Sequence, residues 1–360
     1  MNLEEKLTAL LDSGIRTVLL TGEHGMGKGD FVRRYAKAYG TAVCFPWYSP
    51  QADSVILPGA FSESAEESSR SQLFLSFCAG SLAALGERLH VEPASLVEDL
   101  LLPLETKLDA GAPLSEEETA LAAEVAAWKQ ERRFFCVEEP SLVRGGYAGI
   151  FGPGLACLDE GRRGVRNRVQ WEPWEEISCS VYFSKGFFVP ENICVLISES
   201  EVIPLSPVAP SLLSRAVGPS VPDCFRRVEP GGPEDLAALL AQYLTPNYAA
   251  SGLPDAAGDA RLLAAGMDRL NNLFREISPC AHPRLTPKLL RDLGKPSSGG
   301  TVTVTDLWDG SLRLHLIPRS WWFFPDKQTC SVGLIPRYCI HAFNEAVGDR
   351  PDLRLPEERI

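Results

Sequence analysis

The stretch Val18-Leu-Leu-Thr-Gly-Glu-His-Gly-Met-Gly-Lys-Gly-Asp-Phe31, VLLTGEHGMGKGDF, decides how the rest of the chain is read. It begins inside IRTVLLTG (15–22), a short apolar run bounded by glycine, which predicts a buried strand. It ends in GDFVRRYAKAYG (29–40), which predicts a helix closed by Gly40, and TAVCFPW (41–47) then predicts a second strand. Between the first strand and the helix, Gly22 and Gly27 are followed at once by Lys28, which is the spacing of a phosphate-cradling loop. The residue types suit that task. Gly22, Gly25 and Gly27 let backbone amides turn inward without Cβ clashes, forming an anion nest. Lys28 can reach the terminal phosphates of ATP or GTP, and a helix starting near Gly29 adds its positive end. The next position of such loops supplies a hydroxyl to Mg2+, and here it is Gly29. Asp30 would reach a metal only through water, or would simply complement the helix dipole.

Further along, RRFFCVEEP (132–140) predicts a core strand ending in Glu138 and Glu139, and NICVLISES (192–200) repeats that form. Strand, glycine loop, helix and strand in this order predict an α/β fold built on a parallel sheet. A phosphate-loop enzyme needs a carboxylate at the end of a neighbouring strand, and the 138–139 pair offers one. SEEETALAAEVAAWKQE opens with Ser115 and Glu118 in capping-box spacing, and it places a helix in an acidic helical insertion over 91–131. DLAALLAQYL, ARLLAAGMDRLNNLFREIS and TPKLLRDLG predict a small helical domain, and Ser297-Ser-Gly-Gly300 a linker. After it, TVTVTDLWDGSLRLHLIP alternates around Asp309-Gly310, which predicts a β-hairpin.

The chain has 360 residues, 45% of them hydrophobic, and a net charge of −12. That acidity argues against a broad nucleic-acid surface, although Arg162, Arg163, Arg166 and Arg168 form one basic run. The ten cysteines show no CxxC or CxxH spacing, which argues against zinc, and five of them, Cys44, Cys78, Cys136, Cys157 and Cys194, sit in apolar runs as small hydrophobes. The opening MNLEEKLTALL predicts an acidic amphipathic helix rather than a signal peptide, and no apolar run has membrane-spanning length. The expectation is a cytoplasmic protein with no membrane segment.

The order of pieces from 132 to 222 resembles the AAA+ module of McrB-type proteins, the GTPase subunits of modified-DNA restriction systems. More distantly it resembles the MoxR and dynein-related clade. The matching pieces are FFCVEEPSLVRGGYAGIFGPGLACLDEGRRG, GFFVPENICVLISES and VAPSLLSRAVGPSVP. Glu138 and Glu139 match the Walker B pair, Arg144 the arginine after it, and Phe151-Gly152 the helix-ending turn. Asp159, Arg162 and Arg163 match the charged step, and Val189-Pro-Glu-Asn192 the lead into the sensor strand. The resemblance implies a three-layer P-loop NTPase sheet over 1–222, a helical lid over 223–296, and a small β-containing tail over 297–360. It also implies a β-hairpin insertion near 164–188, with Arg166, Arg168, Trp171 and Trp174 at a protein contact.

Roles follow by the same resemblance. Glu138 would hold Mg2+, Glu139 would act as general base, and Ser200 would stand where an asparagine orients water. Arg215 would act as an arginine finger in a neighbour's site, and Lys288 would take the sensor 2 position on the lid. The implied partners are further AAA+ subunits in a homo- or hetero-oligomer, together with a protein target, as in a restriction or defence complex. The departures are concentrated in the groups that position metal and water: Gly29 for the hydroxyl, Glu138 for an aspartate, and Ser200 for the asparagine. Slow hydrolysis is therefore expected. A pseudo-ATPase scaffold is one alternative and a P-loop small-molecule kinase another.

Overall fold

The computed structural model describes residues 2–22, 25–46, 67–140, 146–170, 178–200, 224–277, 285–312 and 334–357. Helix α1 (Leu3–Asp12) opens with a capping box between Asn2 and Glu5. It leads to β1 (Thr17–Leu20), α2 (Lys28–Tyr39) and β2 (Thr41–Pro46). A helical stretch follows, with α3 (Glu67–Leu89), α4 (Leu102–Asp109) and α5 (Glu116–Gln130). Then come β3 (Arg133–Glu138), α6 (Gly146–Phe151), β4 (Ile193–Ser198) and β5 (Arg226–Val228).

The five strands pair in the order β2-β3-β4-β1-β5, and every pairing is parallel. Both faces of the sheet are covered. Successive strand residues point to opposite sides, so Leu19, Phe135, Val137, Val195 and Ile197 join one core with α3, α5 and α6. Val18, Leu20, Phe134, Cys136, Cys194 and Leu196 join the other with α1 and α2. Burial on both faces explains why these strands read as unbroken apolar runs. Each fully buried Phe or Leu contributes roughly 1.5–3 kcal/mol relative to exposure.

After the sheet, α7 (Gly232–Ser251) and α8 (Ala256–Ile277) form the centre of a third core. Asp235 fastens α7 to the first layer by accepting from Lys6 at 2.6 Å and from the Gly231 amide at 2.8 Å.

Several expectations need correction. The hairpin around Asp309-Gly310 is instead helical, with α9 over Val304–Leu307 and a π-helical turn over Trp308–Leu312. Thr303 and Asp306 make a capping box there, and Val304, Trp308 and Leu312 are all fully buried at a spacing of four. That helical spacing overrides the valine–threonine alternation. A minimal hairpin does occur just before, pairing Pro296–Ser297 with Gly300–Thr301. The tail is not an appended unit, because α10 (Leu334–Val347) packs Cys339, Ile340, Phe343 and Val347 into the same core as α7 and α8. Of the insertion at 164–188, the described residues show one antiparallel bridge, Val169 with Phe187, and a 3-10 turn over Ser178–Phe183. Trp171 and Trp174 lie outside the described residues.

Three of the four arginines of the basic run have partners within the chain. Arg163 is 6% exposed and donates to the Ile193 carbonyl and the Thr17 hydroxyl, both at 2.6 Å. Arg166 pairs with Asp109, and Arg168 with Glu98. No helix among the described residues is long and apolar enough to cross a membrane.

Candidate functional site

The strand order creates a switch point at β1. From β1 the chain travels through α2 to the far edge at β2, whereas β5 lies on the other side of β1. Loops at the carboxyl ends of β1, β3 and β4 therefore meet over one crevice, which is where open α/β sheets place ligands.

Gly22, Gly25 and Gly27 all have positive φ, at 137°, 84° and 81°. Met26 and Lys28 are not in that region, so the sign of φ alternates over Gly25–Lys28, as a backbone anion nest requires. Gly27 is the N-cap of α2 and makes no side-chain cap bond, so no side chain at that position competes for the first-turn amides. The Lys28 side chain is nearly buried, at 4% exposure, and its Nζ donates to the Gly22 carbonyl at 2.9 Å. The same Nζ lies 3.4 Å from the Ser200 hydroxyl.

Ser200 joins the loop lysine to the acid on β3. Its amide donates to Glu139 Oε2 at 2.8 Å, and its hydroxyl donates to the other carboxylate oxygen. Glu139 has φ +50°, a left-handed conformation that costs a non-glycine residue about 1–3 kcal/mol. Its amide bonds the Ser198 carbonyl at 2.7 Å, so the ladder between β3 and β4 holds the strained residue in place. Lys28, Ser200 and Glu139 are thus brought together at the ends of neighbouring strands.

Glu138 points to the other side of the loop, against the first turn of α2. A Cβ built on Gly29 would meet its carboxyl carbon at 2.5 Å and its two oxygens at 2.7 and 2.8 Å. The carboxylate is paired with Arg33, and Arg33 is also paired with Asp30. Asp30 in turn accepts from the Tyr243 hydroxyl of α7. Burial, and then that bond, push the Tyr243 phenol well above its ordinary range. An ordinary magnesium donor set does not fit here: residue 29 carries no hydroxyl, and a guanidinium already holds both nearby acids. Among the described residues no group of three or more His, Cys, Asp and Glu side chains is arranged to hold a metal.

Helix α7 and residues 286–288 supply contacts that the sequence did not reveal. Gln242 donates to the Gly27 carbonyl at 3.0 Å, and a Cβ on Gly27 would meet its amide nitrogen at 2.6 Å. A Cβ on Gly25 would meet the Thr286 hydroxyl at 2.9 Å. The positive φ favours glycine at both positions, and a side chain there would also require the ends of Gln242, Tyr243 and Thr286 to shift. Lys288 touches the loop through its backbone, donating its amide to the Gly25 carbonyl at 3.0 Å, while its side chain is exposed. Arg215 and Arg144 lie outside the described residues.

Beneath α2, Cys44 and Cys136 are register partners on β2 and β3. A hydrogen bond with Cys136 lowers the Cys44 thiol to about 7 against the opposing effect of burial, with help from Arg33 and Lys37. The Cys136 thiol moves the other way, well above its usual range, because the same hydrogen bond and its burial favour the protonated form. Alkylation of Cys44 by iodoacetamide, followed by peptide mass spectrometry, should rise with pH through a midpoint near 7. In Cys136→Ala that midpoint should move up toward the ordinary thiol value; an unchanged midpoint would place its cause elsewhere.

No family model matches this chain, and comparison with curated proteins found none similar to it.

Proposed function

We propose that the chain is a nucleoside-triphosphate-binding module of the AAA+ kind, taking ATP or GTP at the loop 22–30 and hydrolysing it slowly. The observation that carries this reading is the chain of contacts Lys28–Ser200–Glu139, drawn from three separate strand ends at the switch point of the sheet. In this reading the loop amides and Lys28 bind the β- and γ-phosphates. Glu139 takes a proton from the water that attacks the γ-phosphorus. Ser200 occupies one acceptor site on each oxygen of that carboxylate, which weakens it as a base and supports slow turnover. The lid segments around Gln242 and Thr286, already packed on the loop, would respond to an occupant and pass its presence to α7 and α8. Assembly with further AAA+ subunits, with Arg215 reaching a neighbour's site and a protein as target, belongs to the same proposal through the resemblance alone.

A second reading, a scaffold whose nucleotide is never hydrolysed, is favoured by the Arg33 pairing of Glu138. Calorimetric titration tests what both readings share. ATP and GTP should bind in the micromolar range, and adenosine should not compete, because the loop recognises phosphate. If neither triphosphate binds, the proposal fails.

A further inference from the structure

We infer that this site takes its nucleotide as the free polyphosphate anion, without a divalent cation, and that Arg33 occupies the two acids a metal would otherwise use and offsets part of their charge. The inference rests on the nucleotide-binding reading above and adds the ionic form of the ligand.

Two departures from the usual pattern turn out to be one exchange. The space that a serine or threonine side chain would fill at position 29 holds the carboxylate of Glu138, whose carboxyl carbon and both oxygens lie within 2.8 Å of a Cβ built there. Aspartate at 138 would be one methylene too short to fill that space, and any side chain at 29 would displace the glutamate carboxylate. The carboxylate is the end of a flexible side chain, so it is its present placement over α2, and not the glutamate itself, that needs glycine at 29.

The third member is Arg33, one helical turn beyond Gly29 on α2. It pairs with Glu138 from β3 and with Asp30 from its own helix. Without a cation, these two acids would repel an incoming polyphosphate. The guanidinium offsets one of these two negative charges and holds both carboxylates in place. Mg2+ requires near-octahedral oxygen ligands at about 2.0–2.1 Å and gives up its waters reluctantly. To admit it at Glu138, the carboxylate would have to abandon Arg33 and leave that cation beside the metal. The remaining charge on the phosphates falls to Lys28, the nest and the amino end of α2.

The test is ATP binding by calorimetry to the full chain, once with excess EDTA and once with millimolar Mg2+. The two dissociation constants of the parent should agree within about threefold, well under one decade of affinity. Arg33→Gln should weaken binding in EDTA by about tenfold or more, and Mg2+ should restore part of the loss. The triple variant Gly29→Ser, Glu138→Asp, Arg33→Gln rebuilds a hydroxyl and a shorter acid, and it should prefer Mg2+ by about tenfold. A parent that binds about tenfold more tightly with Mg2+ than with EDTA overturns the inference and leaves nucleotide binding standing. Absence of binding in both conditions overturns the nucleotide reading itself. The parent comparison decides even if a variant fails to fold.

Discussion

Lys28→Ala is expected to weaken ATP binding by about tenfold to a hundredfold, the size of one lost charge-assisted hydrogen-bonding group. Position explains why the effect should be large. Lys28 is the first residue of α2 and is 4% exposed, so water can replace its ammonium only poorly. Its Nζ lies between the Gly22 carbonyl and the Ser200 hydroxyl, across the mouth of the loop. Removal also takes the Lys28 ammonium away from the Ser200–Glu139 pair, so the carboxylate would face the phosphates with less compensation. The loss should appear in affinity for ATP and GTP alike, since the contact is with phosphate and not with base. Thermal unfolding of the variant without nucleotide separates a binding defect from a folding defect.

Glu139→Gln should reduce nucleotide hydrolysis by about a hundredfold or more while leaving binding unchanged, since general-base contributions run from about 10² to 10⁴. The replacement is isosteric. A glutamine oxygen still accepts from the Ser200 amide, so the strained turn at 139 keeps its anchor, but it takes no proton from water. Steady-state phosphate release, measured beside the parent, checks this. An unchanged rate would assign the activity to another base. A parent with no measurable turnover, but with intact binding, would favour the scaffold reading, in which the Glu139–Ser200 pair is purely structural.

Much of the sheet was legible because its strands are buried on both faces. VLL, FFCV and ICVLI are apolar without interruption, and glycine or charge marks their ends. β5 was missed for the opposite reason: it is three residues, RRV, with Arg226 and Arg227 exposed, and only its pairing with β1 makes it a strand. The stretch after Thr301 shows one pattern concealing another. Valine and threonine alternate as in a strand, yet Val304, Trp308 and Leu312 recur at the helical interval and reach the core.

In the site, the loop glycines, Lys28 and Glu139 were readable because each belongs to a local motif. The pairing of Arg33 with Glu138 was not, since the two are 105 positions apart and neither motif mentions the arginine. Gly29 looked like a simple loss until the carboxylate over it was seen. The basic run 162–168 misled in the other direction. Three of its four arginines already have acids or buried carbonyls as partners, which a linear reading of charge cannot show.

The most direct measurement is the ATP titration of the parent protein beside Lys28→Ala, under identical buffer and with both proteins shown to be folded. A parent curve that saturates in the micromolar range, with the variant curve displaced by a decade or more, is the result expected if the β1 loop is the phosphate site. Superimposable curves, or no heat and no saturation in the parent, would mean that the loop and the acids beside it serve only to hold the lid against the sheet.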